Sequence, residues 1–340
     1  MRLKRYERNP ILSPNPKNAW ESLVATNPGA WYDDKTGEVK LLYRAAGNDP
    51  EHRIYLGLAV SKNGYDFKRV SDEPIFGPSA DGFDAGNVQD ARVTKIGDWY
   101  YITYACKPYP GGQYWTPMST RPYQRPTFPD TFPRYFRDFT FLTALALTQD
   151  FQRFYRAGAI TDPLTNDHDV ILFPEKIGGK FYMLQRPMEW HGPGYPNPHP
   201  AIFLASGEDV MKMGDSKLVA QGKYDWECKG KIGANTVPLR TEAGWLVIYH
   251  AVGADKHYRL GALLLDLDEP WKVRRRTKDF IFQPEEPYET KGIYNGCVFP
   301  CGKVLLGDDL LVYYGAADVS TGVASCKLKE LLDYLESCGD

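Results

Sequence analysis

Val39-Lys40-Leu41-Leu42-Tyr43-Arg44 is an apolar and aromatic run that closes on a polar residue, and the chain repeats it four more times. The later copies are Trp99-Tyr100-Tyr101-Ile102-Thr103-Tyr104, Lys180-Phe181-Tyr182-Met183-Leu184-Gln185-Arg186, Gly244-Trp245-Leu246-Val247-Ile248-Tyr249-His250 and Asp309-Leu310-Leu311-Val312-Tyr313-Tyr314-Gly315. Short runs that stay apolar without alternating predict strands buried on both faces. Before each copy lies another apolar segment and a Gly-containing turn (Asp-Lys-Thr-Gly, Ile-Gly-Asp, Ile-Gly-Gly, Glu-Ala-Gly), the residues that close hairpins. After each comes a third strand: IYLGLAVS, LTALALT, AIFLASG, RLGALLLD and TGVASCK.

Tandem units of three to four strands predict an all-β, five-bladed β-propeller, in which radial repetition protects the sheet edges. A β-sandwich is the rival, but its strands would not recur in triplets. KLKELLDYLES (Lys327–Ser337), with Leu331, Leu332 and Leu335 at helical spacing, predicts a short C-terminal helix. No Pro/Gly linker divides the chain, so residues 1–340 read as one domain with an insertion at about 107–139.

A net charge of -2 gives no basic field for nucleic acid. No stretch approaches the ~20 apolar residues of a membrane span. MRLKRYERNPIL lacks the apolar core of a signal peptide, which points to the cytoplasm, or to the periplasm if a leader was removed. The six cysteines show no metal-ligand spacing and read as reduced thiols, mostly buried.

In a propeller the first strand of each blade lines a central channel. Register then collects Asn27, Asp90, His168, Asp169, Lys231 and Asn295 at one pocket. Arg44, Arg186 and His250 join them from the ends of the middle strands, with Asp318 just beyond the fifth. A slip of one residue would turn any of these side chains away.

These segments resemble glycoside hydrolase family 130, the β-mannoside phosphorylases and β-mannosidases. The likeness is carried by RYERNPIL, NPGA with LLYR, VQDARVTKI, LFPEKIGGKFYMLQRP, GWLVIYHAV with YRLGALLLDLDEP, and CVFPCGKV with YYGAAD, from residue 5 to residue 318. It implies a five-bladed propeller and Asp90 as general acid, in a segment written Gln89-Asp90-Ala91-Arg92 where the family's usual form is Glu-Asp-Pro-Arg. A carboxyl donating a proton near neutral pH calls for a shielded, apolar setting. The plain alternative is that Asp90 pairs with Arg92 on the surface.

The resemblance also implies that Asn27, Arg44, Asp318 and Asn295 hold the sugar, through amide, carboxylate and guanidinium groups suited to hydroxyls. It implies that Arg186, Lys231, His250 and Tyr258 hold inorganic phosphate, a co-substrate; no metal or organic cofactor is expected. His168 stands where the family tends to carry a second Arg, and as a group titrating near pH ~6.5 it brings only part of a charge. Gln185 stands where a His is common.

The activity so implied is inverting phosphorolysis of a β-mannoside (mannosyl-glucose, mannosyl-N-acetylglucosamine or a manno-oligosaccharide) to α-mannose 1-phosphate, the proton passing through a hydroxyl of the mannose. Two rivals stay open. Water could replace phosphate, with Asp167, Asp169 or Glu189 as base, or the propeller could bind glycans without catalysis. The aromatic, Pro- and Arg-rich insertion could wall the acceptor subsite or pack on a second copy in a homo-oligomer. The Pro-rich MEWHGPGYPNPHP, with His191 and His199, reads as a structural loop rather than a metal site.

Overall fold

The computed structural model describes residues 1–228 and 230–339. It is an all-β chain with three short α-helices, Arg134–Arg137, Pro287–Thr290 and Leu328–Ser337. The last falls where the leucine spacing placed it, with Leu331 and Leu335 buried.

Five antiparallel meanders follow one another. The first is Val24–Asp33, Glu38–Ala46, Ile54–Ser61 and Lys68–Arg69; the second is Asn87–Ile96, Trp99–Lys107, Leu142–Thr148 and Tyr155–Ala159. The third runs Ile171–Leu172, Phe181–Gln185, Ile202–Asp209 and Lys212–Ala220. In the fourth, Lys231–Ala234 and Leu239–Thr241 share the partner Gly244–Val252, followed by Tyr258–Leu265 and Val273–Arg276. The fifth is Val298–Leu306, Asp309–Ala316 and Ser320–Lys327, and Lys4–Arg5 supplies its outer strand. A parallel pairing of Ile54 with Asn87 joins the first two meanders, so the described residues form four hydrogen-bonded sheets, none of them closed on itself.

Alternation along the middle strands explains why they read as continuously apolar. Leu41 and Tyr43 pack toward the fifth meander, against Val304, Leu311 and Tyr313, while Leu42 packs toward the second, against Val93, Ile102 and Tyr104. In the fifth meander Leu310, Val312 and Tyr314 face the fourth, and Leu311 and Tyr313 face the first. Two more cores lie between meanders two and three (Leu145, Val170, Met183) and between three and four (Leu184, Ile232, Trp245). The apolar interior is thus divided among five successive interfaces, the last joining the fifth meander to the first.

A polar clasp recurs in four of the five. Tyr43, Tyr104, Tyr249 and Tyr314, all on middle strands, donate to the buried carboxylates of Glu21, Asp84, Glu227 and Glu289. Each carboxylate is also paired with an arginine from the outer strand: Arg69, Arg156, Arg276 and Arg5 respectively. Opposite three of the tyrosines the neighbouring strand carries Gly57, Gly261 or Gly322, where any Cβ would collide with the phenol ring. The third meander departs: Gln185 takes the tyrosine's place and donates to Ser216 at 2.8 Å.

Removing the acid from a clasp leaves a guanidinium without its counter-charge. Glu227→Ala, which leaves Arg276 and the backbone N–H groups of Lys223 and Tyr224 without their acceptor, is expected to cost about 3–5 kcal/mol. Urea unfolding checks this, and a loss under about 1 kcal/mol would show that the clasp contributes little.

Candidate active site

The first strands carry bulges at matching heights. Register shifts fall between Thr26 and Gly29, between Gln89 and Arg92, and between Pro300 and Gly302. In the fourth meander the N–H groups of Asn235 and Thr236 both point at the Ile248 carbonyl, at 3.1 and 3.4 Å. A bulge leaves one residue out of the ladder and re-aims its side chain. Asn27 (φ 45°), Asp90 (φ 53°) and, on the turn after the fifth middle strand, Asp318 (φ 59°) all hold left-handed backbone. Non-glycine residues adopt that region only where their surroundings over-determine it.

These bulges bring the sugar-holding candidates together. Asn27 Nδ2 donates to Asp90 Oδ1 at 2.8 Å, and Gln89 Nε2 lies 3.3 Å from Asp90 Oδ2. The Arg44 guanidinium is 3.5 Å from Asp90 and 3.7 Å from Asp318. Asn27 fits because residue 315 is glycine; a Cβ there would overlap Asn27 Oδ1 and Thr26 Oγ1. Burial works against the charge on Arg44, but the Asp318 and Asp90 carboxylates outweigh it and raise its pKa. Burial raises the Asp318 carboxyl above its ordinary value, against the pull of Arg44.

The setting of Asp90 corrects two sequence expectations. It is buried, but among an amide, a guanidinium and a second carboxylate rather than apolar groups. It makes no surface pair with Arg92 either. Arg92 is itself buried, and donates to the backbone carbonyls of Asp90 at 2.6 Å and His168 at 3.2 Å and to Asp169 Oδ1 at 3.2 Å. Arg92 therefore ties the second meander to the third.

The phosphate-holding candidates form a second cluster around Asp169. Arg186 Nε donates to Asp169 Oδ2 at 2.8 Å, its second arm reaches the same oxygen, and His250 Nε2 lies 3.8 Å from it. Burial alone would raise the Asp169 carboxyl, yet the Arg186 and Arg92 guanidiniums hold it well below the usual carboxylate range. His250 Nδ1 is 2.9 Å from Asn235 Oδ1, and the ring lies 5.3 Å from that of Tyr258. Lys231 Nζ sits 5.4 Å from the centre of the Tyr258 ring, and burial together with Arg186 lowers its pKa to about 8.

His168 does not carry the partial charge expected of it. Burial drives its pKa well below 6.5, so the ring is neutral, with Nε2 3.2 Å from Arg186 and Nδ1 buried without a partner. Burial likewise keeps His250 neutral.

A cavity of about 290 Å³ joins the two clusters, near the lower end of the range for small-ligand pockets, roughly 300–1,000 Å³. Asn27, Arg44, Asp90, Asp318, His168, Lys231 and Tyr258 line it. Arg186 and His250 stand one layer behind. Asn295 is not brought to the cavity: it is exposed, and its side chain accepts the Gly292 N–H at 3.1 Å.

Residues that the sequence did not single out complete the walls. The insertion contributes Lys107, Tyr114, Arg125 and Phe139 to the lining of its own chain's cavity, and Tyr114 faces Arg44 and Asp318. Only its wealth of rings hinted at this. Asn235, which positions His250, lay in a segment read as a plain hairpin. Asp169 stood out as unusual, but its part as the hub of two buried guanidiniums did not.

A family model described as beta-1,4-mannooligosaccharide phosphorylase matches residues 2–120 and 135–337, and the unmatched piece falls inside the insertion. A 1,2-beta-oligomannan phosphorylase of Thermoanaerobacter sp. (strain X514) is 33% identical over 97% of this chain and 99% of its own. A beta-1,4-mannooligosaccharide phosphorylase of Ruminococcus albus is 27% identical, covering 98% of this chain and 90% of its own. Among solved structures, the beta-1,2-mannobiose phosphorylase of Listeria innocua in complex with beta-1,2-mannobiose aligns over 99% of this chain and 100% of its own, with a TM-score of 0.79 at 28% identity. The family model spans most of the chain and the relatives align along nearly all of it: the chain belongs to glycoside hydrolase family 130.

Proposed function

We propose that this protein breaks β-mannosides by inverting attack of inorganic phosphate, giving α-mannose 1-phosphate and a shortened sugar. One observation carries the choice of nucleophile. The buried Asp169 carboxylate is matched by two buried guanidiniums, Arg92 and Arg186, and Lys231 adds a third cation on the cavity wall. An interior with surplus positive charge is costly when empty and favours a multivalent anion. Named phosphorylases among the relatives support the same reading.

In this reading Asn27, Arg44 and Asp318 hold the mannose, and Asp90 supplies the proton the departing sugar needs. Arg186, Lys231 and Tyr258 gather the phosphate, with neutral His168 and His250 as hydrogen-bonding partners. A phosphate oxygen bonds to the anomeric carbon as the bond to the leaving sugar breaks, and the leaving oxygen takes the proton. Water as nucleophile is less well served. Asp169 is committed to its cations, Glu189 accepts from Asn166 at 2.8 Å, and Asp167 does not line the cavity.

The five meanders read best as the blades of one propeller domain over residues 1–340, because their cores follow one another and the fifth returns to the first. A product that is a sugar phosphate suits the cytoplasm, where charged esters are retained. Among the described residues no helix is long and apolar enough to cross a membrane.

Cleavage of a manno-oligosaccharide with and without phosphate tests the proposal. Turnover is expected to require phosphate and to release mannose 1-phosphate in the α configuration. Equal turnover in phosphate-free buffer, with free mannose as product, would transfer the chain to the hydrolases.

A further inference from the structure

The cavity contains more positive charge than phosphorolysis uses. Arg44 faces Asp90 and Asp318, and Lys231 stands with the phosphate cluster. Two further cations, Lys107 and Arg125, line the wall built by the insertion. Lys107 Nζ lies 3.4 Å from the centre of the Phe139 ring and 3.9 Å from that of Phe141, and the Arg125 guanidinium carbon lies 4.1 Å from Phe139. Among the described residues no carboxylate pairs with either. Arg125 Nε donates to the Gly111 carbonyl at 3.2 Å, leaving the other guanidinium nitrogens available.

Ring faces attract cations but carry no net charge. Two basic groups gathered on one ring therefore remain uncompensated, and burial with the charge of Arg125 pushes the Lys107 ammonium down to about 6, so that it takes up its charge when an anion arrives beside it. Phe139, which organises the pair, holds left-handed backbone (φ 55°), a conformation that costs a bulky residue energy and persists where the surroundings impose it. Lys107 pairs across the sheet with Asn87, three residues before Asp90. Three residues of strand span about 10 Å, which sets Lys107 at the distance of a neighbouring sugar from the proposed acid.

We propose that Lys107 and Arg125 recognise a carboxylate on the leaving sugar, so that the preferred substrate is a β-mannoside of a uronic acid. This rests on the reading of the cavity as a β-mannoside site. One guanidinium and one ammonium suit a monoanion: the planar fork takes both carboxylate oxygens and the ammonium adds a point charge.

Running the reaction backward tests it, with α-mannose 1-phosphate as donor and free sugars as acceptors. The acceptor hydroxyl oxygen bonds to the anomeric carbon, phosphate departs, and the hydroxyl proton passes to Asp90. The panel is glucuronate, galacturonate, glucose, galactose, mannose, N-acetylglucosamine and glucose 6-phosphate, read by phosphate release. At least one uronate is expected to exceed its neutral counterpart in kcat/KM by about ten-fold or more. Arg125→Gln and Lys107→Met should each shrink that ratio toward one. Neutral acceptors that match the uronates overturn the proposal, as does an advantage that survives in both variants. Glucose 6-phosphate outdoing every uronate overturns the carboxylate in favour of a phosphate ester. If the variants do not fold, the ranking by the unaltered protein decides. If no acceptor releases phosphate, the phosphorylase reading fails instead. The ranking then comes from hydrolysis of mannosyl-glucuronate against mannosyl-glucose, where equal rates overturn the carboxylate preference.

Discussion

Asp90→Asn is expected to lower kcat on a manno-oligosaccharide by about 10²–10⁴-fold, the range that a positioned proton donor contributes, while sugar binding persists. The substitution keeps size and planarity. The amide oxygen it introduces can still accept from Asn27, and the bulge between Gln89 and Arg92 depends on backbone geometry and on Arg92 donating to the residue 90 carbonyl. What disappears is the carboxyl proton. The loss should therefore shrink for an aryl mannoside whose leaving group departs without protonation. Steady-state kinetics on both substrates, with calorimetric affinity for the oligosaccharide, separate the steps. An unchanged kcat would remove Asp90 from the chemistry and leave the proton to another donor.

Lys231→Ala is expected to raise the KM for phosphate by about 10²-fold, in line with the loss of a single charged stabilising group, with a smaller change in sugar affinity. Lys231 lines the cavity, whereas Arg186 is held behind it by Asp169. A sign follows for pH. Burial, with Arg186 nearby, lowers the Lys231 pKa to about 8, so the ammonium is present below that pH and lost above it. In the unaltered protein kcat/KM for phosphate should fall as pH rises through about 8, and the variant should lack that limb. A variant that keeps both its phosphate KM and the alkaline limb would exclude Lys231 from the anion site.

Much of the architecture could be read from side-chain pattern alone. Middle strands such as Leu41-Leu42-Tyr43 must bury successive residues in opposite directions, and an unbroken apolar run between Gly-containing turns expresses that need. Another repeat was equally present and went unread. Trp20-Glu21, Phe83-Asp84, Trp226-Glu227 and Tyr288-Glu289 each set an aromatic residue before the acid of a clasp, ahead of a first strand. Isolated acids in loops look solvated, and only the distant tyrosine and arginine show that these are buried.

The site was legible to the level of which segments contribute. Resemblance gathered Asn27, Arg44, Asp90 and Asp318, and the fold brings them together. Bulges were not foreseeable, since the first strands are buried on both faces and offer no alternation for an extra residue to interrupt. The state of His168 was missed because its pKa follows from burial, which local sequence does not report. Asn295 was placed by register just ahead of the fifth first strand, but the strand begins at Val298 and residue 295 turns to solvent.

The outer strand of the final meander is Lys4–Arg5, and the stretch that follows it stays attached: Ile11 donates to Thr321, and Asn9 exchanges hydrogen bonds with Val323. During synthesis Lys4–Arg5 must wait for Ser320–Lys327 before it finds its partner. Asp318, proposed to hold the sugar, follows the middle strand of that same meander and is delivered with it. A nascent chain therefore lacks a complete cavity until its fifth meander has been made, and the site is assembled in one late step.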